Sequence, residues 1–337
     1  MAKTAVLIVN LGTPNAPQTG PVRRYLTQFL NDPRVIDLAW IGRKLLVNGI
    51  IVPFRAAKSA AEYRKLWTDK GSPLKYITEG LQEKLQTALG EDADVYMAMR
   101  YQQPSLKQEL EKIRLNNHKK IIVLPLFPQY ASSTSGSIME AVMKQVSKWW
   151  AIPELVLMNQ YYDHPAMINA YLEIGKQYNH NDYDHVLFSF HGVPNRHVDK
   201  VYEMGFCSDR DCAEEVTEES HLCYKATCYD TARNIADGLG IDPERYTVCF
   251  QSRLDKNWLE PFADKMVEKL GREGKKKVLV FSPAFVADCL ETIVEIGQEY
   301  QEIFEELGGE KIQLVESLNE HPAWVKTLET LVRERLY

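Results

Sequence analysis

The run Ile121-Ile122-Val123-Leu124-Pro125-Leu126-Phe127 is apolar throughout and leads through a small-residue loop into a helical pattern. A strand with one wet face would alternate polar and apolar side chains. An unbroken run reads instead as a strand covered on both faces, the habit of parallel sheets. Val278-Leu279-Val280-Phe281-Ser282-Pro283-Ala284-Phe285 repeats the plan in the second half of the chain. Similar runs occupy Ala5–Leu11, Ala93–Met99, Lys120–Leu126, Leu155–Leu157, His185–Phe190, Tyr246–Phe250 and Lys277–Phe281. Helical stretches lie between them, at Pro73–Leu89, Ser105–Leu115, Gly136–Trp150, His164–Tyr178, Thr227–Leu239, Trp258–Leu270 and Asp288–Leu307. This alternation predicts an α/β protein with parallel sheets. The echo between the halves predicts two units of similar plan, each with its own sheet, crossing at Ala151-Ile152-Pro153.

Composition bounds what such a chain does. Its 337 residues suit two domains or one large one. With 45% hydrophobic and 26% charged residues it is neither collagenous nor mainly disordered. The net charge is −6, and Lys275-Lys276-Lys277 is a short basic run that reads as a solvated strand entry, so no nucleic-acid partner is expected. No stretch is apolar for long enough to span a bilayer. The N-terminal Ala5–Val9 run reads as a buried first strand rather than a signal peptide, because no small-residue cleavage site follows it. A cytoplasmic protein is expected. Six cysteines are too few for a disulfide framework of this size.

In open α/β sheets, ligands bind beyond the carboxyl ends of the strands. His191 closes one run and is followed by Gly192 and Pro194, which presents the ring at a sharp turn. It is either a structural histidine bonded to a carbonyl, or a general base or metal ligand, since imidazole titrates near neutrality. Asp288, Glu291 and Glu295 are spaced i, i+3, i+7, which on an α-helix sets three carboxylates on one face, and Glu299 and Glu302 extend the stripe. No Lys or Arg balances them as far as Leu307. The stripe is either a solvated face or a means of attracting divalent cations or taking up protons. Neither a Gly-rich phosphate loop nor a serine nucleophile elbow is present.

At these residues the sequence resembles the ferrochelatases, which insert Fe²⁺ into a porphyrin as the last step of haem synthesis. The resemblance covers nearly the whole chain. Its blocks are Val9-Asn10-Leu11-Gly12-Thr13-Pro14, the Tyr25 to Val35 pattern, Gly71-Ser72-Pro73-Leu74, Met99-Arg100-Tyr101, Leu126-Phe127-Pro128-Gln129-Tyr130 with the Ser132 to Ser135 run, Phe188-Ser189-Phe190-His191-Gly192-Val193-Pro194, Phe250-Gln251-Ser252-Arg253, and Asp288-Cys289-Leu290-Glu291-Thr292. It implies two similar Rossmann-like domains with parallel four-stranded sheets flanked by helices, a chelatase-like fold, with protoporphyrin IX in the cleft between them. Under it His191 matches the family's active-site histidine and Glu291 its partner, with His191, Glu291, Asp288 and Glu295 along a metal or proton route. Leu11, Arg100, Tyr101, Tyr130, Ser132 and Trp258 match porphyrin-binding positions. Leu11 stands where some members carry Met, so thioether delivery of iron is unavailable at that point. The substrates expected are a porphyrin and Fe²⁺.

Cys207, Cys212, Cys223 and Cys228 form a Cys-x4-Cys-x10-Cys-x4-Cys pattern inside an acidic stretch. Thiolates at this count suit Zn²⁺ or an iron–sulfur cluster, and a metal-free segment is the third reading. Some ferrochelatases carry a [2Fe–2S] cluster, and in certain bacterial members it sits on an internal segment after the histidine strand. The resemblance therefore favours a [2Fe–2S] cluster on these four cysteines. Cys249 and Cys289 read as buried thiols.

The domain boundaries expected are 1–152 and 153–310, with 311–337 packing back on the first. Leu45–Arg55, with Lys44 and Lys58 nearby, is either first-domain core or an exposed apolar lip making peripheral contact with the inner membrane surface. Three rivals remain: a coproporphyrin or sirohydrochlorin chelatase taking iron, Co²⁺ or Ni²⁺; a two-domain binding protein for a tetrapyrrole or metal; and a non-catalytic iron–sulfur or haem-binding regulator.

Overall fold

The computed structural model describes residues 4–336. Among these residues two four-stranded sheets form. The first contains β1 (Thr4–Gly12), β2 (Ala93–Tyr101), β3 (Lys120–Pro125) and β4 (Glu154–Leu157), in the order β2-β1-β3-β4. The second contains β5 (His185–His191), β6 (Tyr246–Gln251), β7 (Lys277–Phe281) and β8 (Lys311–Leu314), in the order β6-β5-β7-β8. Every pairing is parallel. The two orders are one topology used twice, which is the echo read from the strand runs.

Burial on both faces explains why those runs do not alternate. Ala5, Val6, Leu7, Ile8 and Val9 are all fully buried. Ala5, Leu7 and Val9 pack with Leu106, Leu110, Ile138 and Val142. In the second sheet Leu187, Val278 and Val280 pack with Val267, Leu270, Ile296 and Phe304. In each sheet the chain steps from its first strand to one side and then returns to the other. The strand order therefore reverses between β1 and β3, and again between β5 and β7. Crevices open at such switch points beyond the carboxyl ends of the strands.

Met1–Phe127, Ala131–Gln160 and Glu320–Tyr337 make one compact unit, and Pro128–Tyr130 with Tyr161–Asn319 make the other. The division falls after Gln160, not after Ile152, because Leu155 and Leu157 pair with Ile121 and Val123 in the first sheet. The segment from 311 is likewise divided. Lys311–Leu314 closes the second sheet, whereas the helix Pro322–Arg333 joins the first unit, where Arg333 bonds Asp92 at 2.7 Å.

Three helical expectations shift. The helix expected from Trp258 begins at Ala263, because Trp258 and Phe262 are held extended by bridges to Pro194 and Phe250. The helix expected over Gly136–Trp150 runs over Ser137–Val146 and is entered through a π-turn at Ser132–Gly136. Glu291–Tyr300 is a π-helix, followed by α-helix over Gln301–Glu306. Bonds from i to i+5 give a wider turn than an α-helix, so the i, i+3, i+7 rule does not set one face here. Asp288 precedes this helix, and Glu299 and Glu302 are exposed whereas Asp288, Glu291 and Glu295 are half-buried.

Two glycines permit close approaches at the sheet ends. Gly12 has φ +112°, and a Cβ there would lie 2.0 Å from the Tyr101 carbonyl oxygen. A Cβ on Gly192 would lie 2.9 Å from the Gln251 carbonyl oxygen. Gly12→Ala should therefore cost at least about 3 kcal/mol, from left-handed strain plus a backbone clash. Gly20→Ala, in a helix with open space around it, should stabilise by about 0.5–1 kcal/mol. Chemical denaturation of the two variants checks the pair.

Candidate active site and thiol cluster

His191 is the last residue of β5 and pairs in register with Gln251, the last residue of β6. The strands are locked beyond that point, because Gly192 N–H donates to the Gln251 carbonyl at 2.7 Å. The His191 Nδ1 lies 2.6 Å from the Gly192 carbonyl oxygen. A carbonyl only accepts, so Nδ1 carries a proton, and in the neutral tautomer this selects, Nε2 presents the lone pair. The half-buried ring lies near those of Trp258 and Phe285, with ring centroids 6.4 and 6.1 Å away. An imidazole poised in this way is a base or a metal donor.

Gln251 ties this strand end to the acidic helix. Its side chain is buried, and Oε1 accepts from Ser189 Oγ at 2.7 Å. Nε2 donates to the Glu291 carbonyl oxygen and to Glu295 Oε2, each at 3.1 Å. Glu295 also accepts from the Ser252 amide at 2.8 Å, the Ser252 hydroxyl and Tyr300 Oη at 3.1 Å. Burial, then the Glu295 charge, pushes the Tyr300 phenol up, so it stays a donor. Ser252 has φ +61°, a strained value for a residue other than glycine. That strain is held at the point where Ser252 grips Glu295.

Asp288 is fixed from the other end of the loop. Asn319 Nδ2 donates to its Oδ2 at 2.8 Å, and Thr292 Oγ1 reaches Oδ1 at 3.3 Å. The Glu291 carboxylate neighbours the Cys289 thiol, which burial and then the Glu291 charge push up, so that thiol stays protonated. His191, Asp288, Glu291 and Glu295 thus belong to one sheet end and the helix beside it. Gln251, at a strand end, and Cys289, the buried thiol expected from the sequence, join them as contacts. The Gln251 signal was present in the Phe-Gln-Ser-Arg block after β6.

In the first unit Arg100, Tyr101 and Ser132 belong to a network centred on Asp32. The buried Asp32 carboxylate accepts from Arg100 Nη2 at 2.6 Å, Tyr101 Oη at 2.9 Å, Ser137 Oγ at 2.6 Å and the Arg34 amide at 2.8 Å. Arg34 also donates to Ser132 Oγ at 2.9 Å and pairs with Glu140. Tyr101 is buried, and burial with the Asp32 charge pushes its phenol up. Leu11 in the first unit, and Tyr130 and Trp258 in the second, are half-buried. Asp32 was not singled out from the sequence, because a lone Asp-Pro-Arg gives no sign that four donors converge on it.

Among the described residues, one set of three or more potential metal donors converges within 4.8 Å: Cys207, Cys212 and Cys223. Cys207 Sγ lies 3.6 Å from Cys212 Sγ and 3.7 Å from Cys223 Sγ. Cys228, fully buried one turn into the helix Tyr224–Leu239, stands outside the set. Hydrogen bonds from Cys207 and Cys223 hold the Cys212 thiol far below the usual range. The bonds to Cys212 and Cys223, with burial, push Cys207 up. Three buried sulfurs that converge in this way are the donor chemistry of a soft metal.

Solved structures share this architecture. SirB from Bacillus subtilis with Fe³⁺ superposes with a TM-score of 0.56 at 12% identity, covering 98% of this chain and 95% of SirB. CbiX, described as the terminal enzyme for siroheme biosynthesis in denitrifying bacteria, gives 0.51 at 12% identity, over 99% of this chain and all of CbiX. The fold is thus that of the chelatases. Sequence narrows the class: the ferrochelatase family model matches residues 3–336. A ferrochelatase of Coxiella burnetii (strain CbuG_Q212) is 39% identical over 337 residues, 99% of this chain and 94% of the relative. One from Legionella pneumophila (strain Philadelphia 1) is 40% identical over 334 residues, 99% of each chain. The chain belongs to the ferrochelatase family.

Asp32→Ala should destabilise the first unit by about 3 kcal/mol, because it leaves the Arg100 guanidinium and two hydroxyls without their shared acceptor. A fall of less than about 1 kcal/mol in chemical denaturation would count against the network.

Proposed function

We propose that the chain inserts Fe²⁺ into protoporphyrin IX with release of two protons, His191 serving as the base. Membership of the ferrochelatase family supports the activity. The observation that carries the role of His191 is its Nδ1 bond to the Gly192 carbonyl, which leaves Nε2 as the acceptor.

Both pyrrolic N–H bonds break as iron forms its bonds to the four nitrogens. The Nε2 lone pair accepts the first proton and becomes imidazolium; passing that proton to the Glu291 carboxylate frees Nε2 to accept the second. Asp288 conducts cations or protons along the loop. Glu295, holding four donors, acts chiefly by keeping Gln251 and Ser252 in place. A macrocycle bent on binding exposes its nitrogen lone pairs, so binding energy is used for distortion. Arg100 and Ser132 offer donors to porphyrin carboxylates, with Tyr101 acting through Asp32 as a positioning residue. Leu11, Tyr130 and Trp258 offer half-buried apolar and aromatic surface to the ring.

Leu45, Ile50 and Phe54 are exposed, together with Trp40, Ile41 and the cations Arg55 and Lys58. These residues support hand-over of a poorly soluble porphyrin at a membrane surface. No helix among the described residues is long and apolar enough to cross a membrane.

The thiol cluster supports a [2Fe–2S] cluster held by Cys207, Cys212, Cys223 and Cys228. The three convergent sulfurs, all buried, fit thiolate ligation. Cys228 is the one remaining cysteine of the segment, fully buried in the first turns of the helix Tyr224–Leu239. Such a cluster supplies one-electron redox chemistry, and no step of metal insertion is routed through it.

His191→Ala should lower haem formation from Fe²⁺ and protoporphyrin by at least about 100-fold, with folding and porphyrin binding retained. Near-normal turnover would refute the assignment, and parallel assays with coproporphyrin fix the side-chain preference. Protein purified without oxygen should be brown, and Cys212→Ser should remove the visible absorption. A colourless, iron-free wild type would contradict the cluster.

A further inference from the structure

The cysteine segment holds its sulfurs with a tyrosine and an arginine that the reading above does not use. Tyr202 is buried, and its hydroxyl oxygen lies 3.3 Å from Cys212 Sγ. A cysteine sulfur that ligates a metal carries no proton, so there the phenol is the donor. The Arg210 guanidinium carbon sits 3.9 Å from the centre of the Tyr202 ring. Arg210 Nη1 donates to the Phe206 carbonyl at 2.9 Å and Nη2 to the Met204 carbonyl at 2.8 Å, while the same group pairs with Glu219. One planar fork therefore closes the loop leading into Cys207 and lies flat on the ring that reaches Cys212. A lysine could not do both. Asp199 fixes the far side by accepting from the Cys207 amide at 2.9 Å.

We propose that Tyr202 is a positioning residue for the thiolate-held centre, its hydroxyl donating to Cys212 Sγ and raising the centre's reduction potential. This rests on the cluster reading. A hydrogen bond to a ligating sulfur withdraws electron density that the sulfur would give to iron, and so favours the reduced, more negative state. The cation on the ring face polarises the phenol and strengthens the donation. Arg210 thus acts through Tyr202.

The test uses the full chain purified without oxygen, reconstituted with ferrous iron and sulfide, and titrated electrochemically while visible absorption is followed. Tyr202→Phe should keep iron content and absorption close to wild type while the midpoint potential moves down. Arg210→Met should move it the same way by less. Fluorotyrosine at position 202 preserves the packing and, being a stronger acid, should move the potential up. A loaded Tyr202→Phe protein with the wild-type potential, or a fluorotyrosine protein with no upward shift, overturns the role of Tyr202 and leaves the cluster standing. A wild type that takes up no coloured centre overturns the cluster reading, and this inference with it.

Discussion

The structure around the candidate active site depends on one buried amide. Gln251 ends β6 beside His191, accepts from Ser189 on β5, and donates to both the backbone and the side chain of the π-helix. A buried side-chain amide that lost one partner would carry a desolvation penalty of about 1–3 kcal/mol, so its bonds are made together or not at all. The imidazole and the acidic helix are thereby fixed to the same sheet end. The Gly192 carbonyl then selects the tautomer, and Trp258 and Phe285 lie near the ring.

The two units apply one sheet topology to different ends. At the second unit's switch point stand an imidazole and carboxylates, groups that trade protons and cations. In the first unit, cationic and hydroxyl donors are gathered by Asp32, whose charge holds Arg100 against the Tyr101 ring, 4.7 Å from its centre. An ionised acid buried with four donors is held rather than reactive, so what Asp32 supplies is geometry.

Much of the fold was legible in the sequence because parallel strands buried on both faces leave unbroken apolar runs. The strand that escaped, Lys311–Leu314, is short, mixed in character and paired on one side alone, with β7. The helices over 40–66 escaped because their buried stripe, Val52, Ala56, Ala60 and Tyr63, is partly made of small residues, while the large apolar Leu45 and Phe54 are exposed and blur the pattern. His191, Asp288, Glu291 and Glu295 stood out as candidates from residue type, position and family resemblance. Their arrangement was not legible, because the spacing rule assumed an α-helix and Glu291–Tyr300 is a π-helix. Gln251, Asp32, Tyr202 and Arg210 act through contacts between distant segments, which spacing along the chain does not encode. Of the four clustered cysteines, spacing could not distinguish Cys228 from the three whose sulfurs converge.

The central claim is that His191 presents an unprotonated Nε2 because its Nδ1 proton is held by the Gly192 carbonyl. Imidazole ¹⁵N–¹H correlation spectra of the histidine-labelled full chain at neutral pH, with His191 assigned by substitution, read the tautomer directly. The expected result is that the neutral form of the His191 ring carries its proton on Nδ1, with the lone pair on Nε2. A ring protonated on Nε2 alone would contradict it.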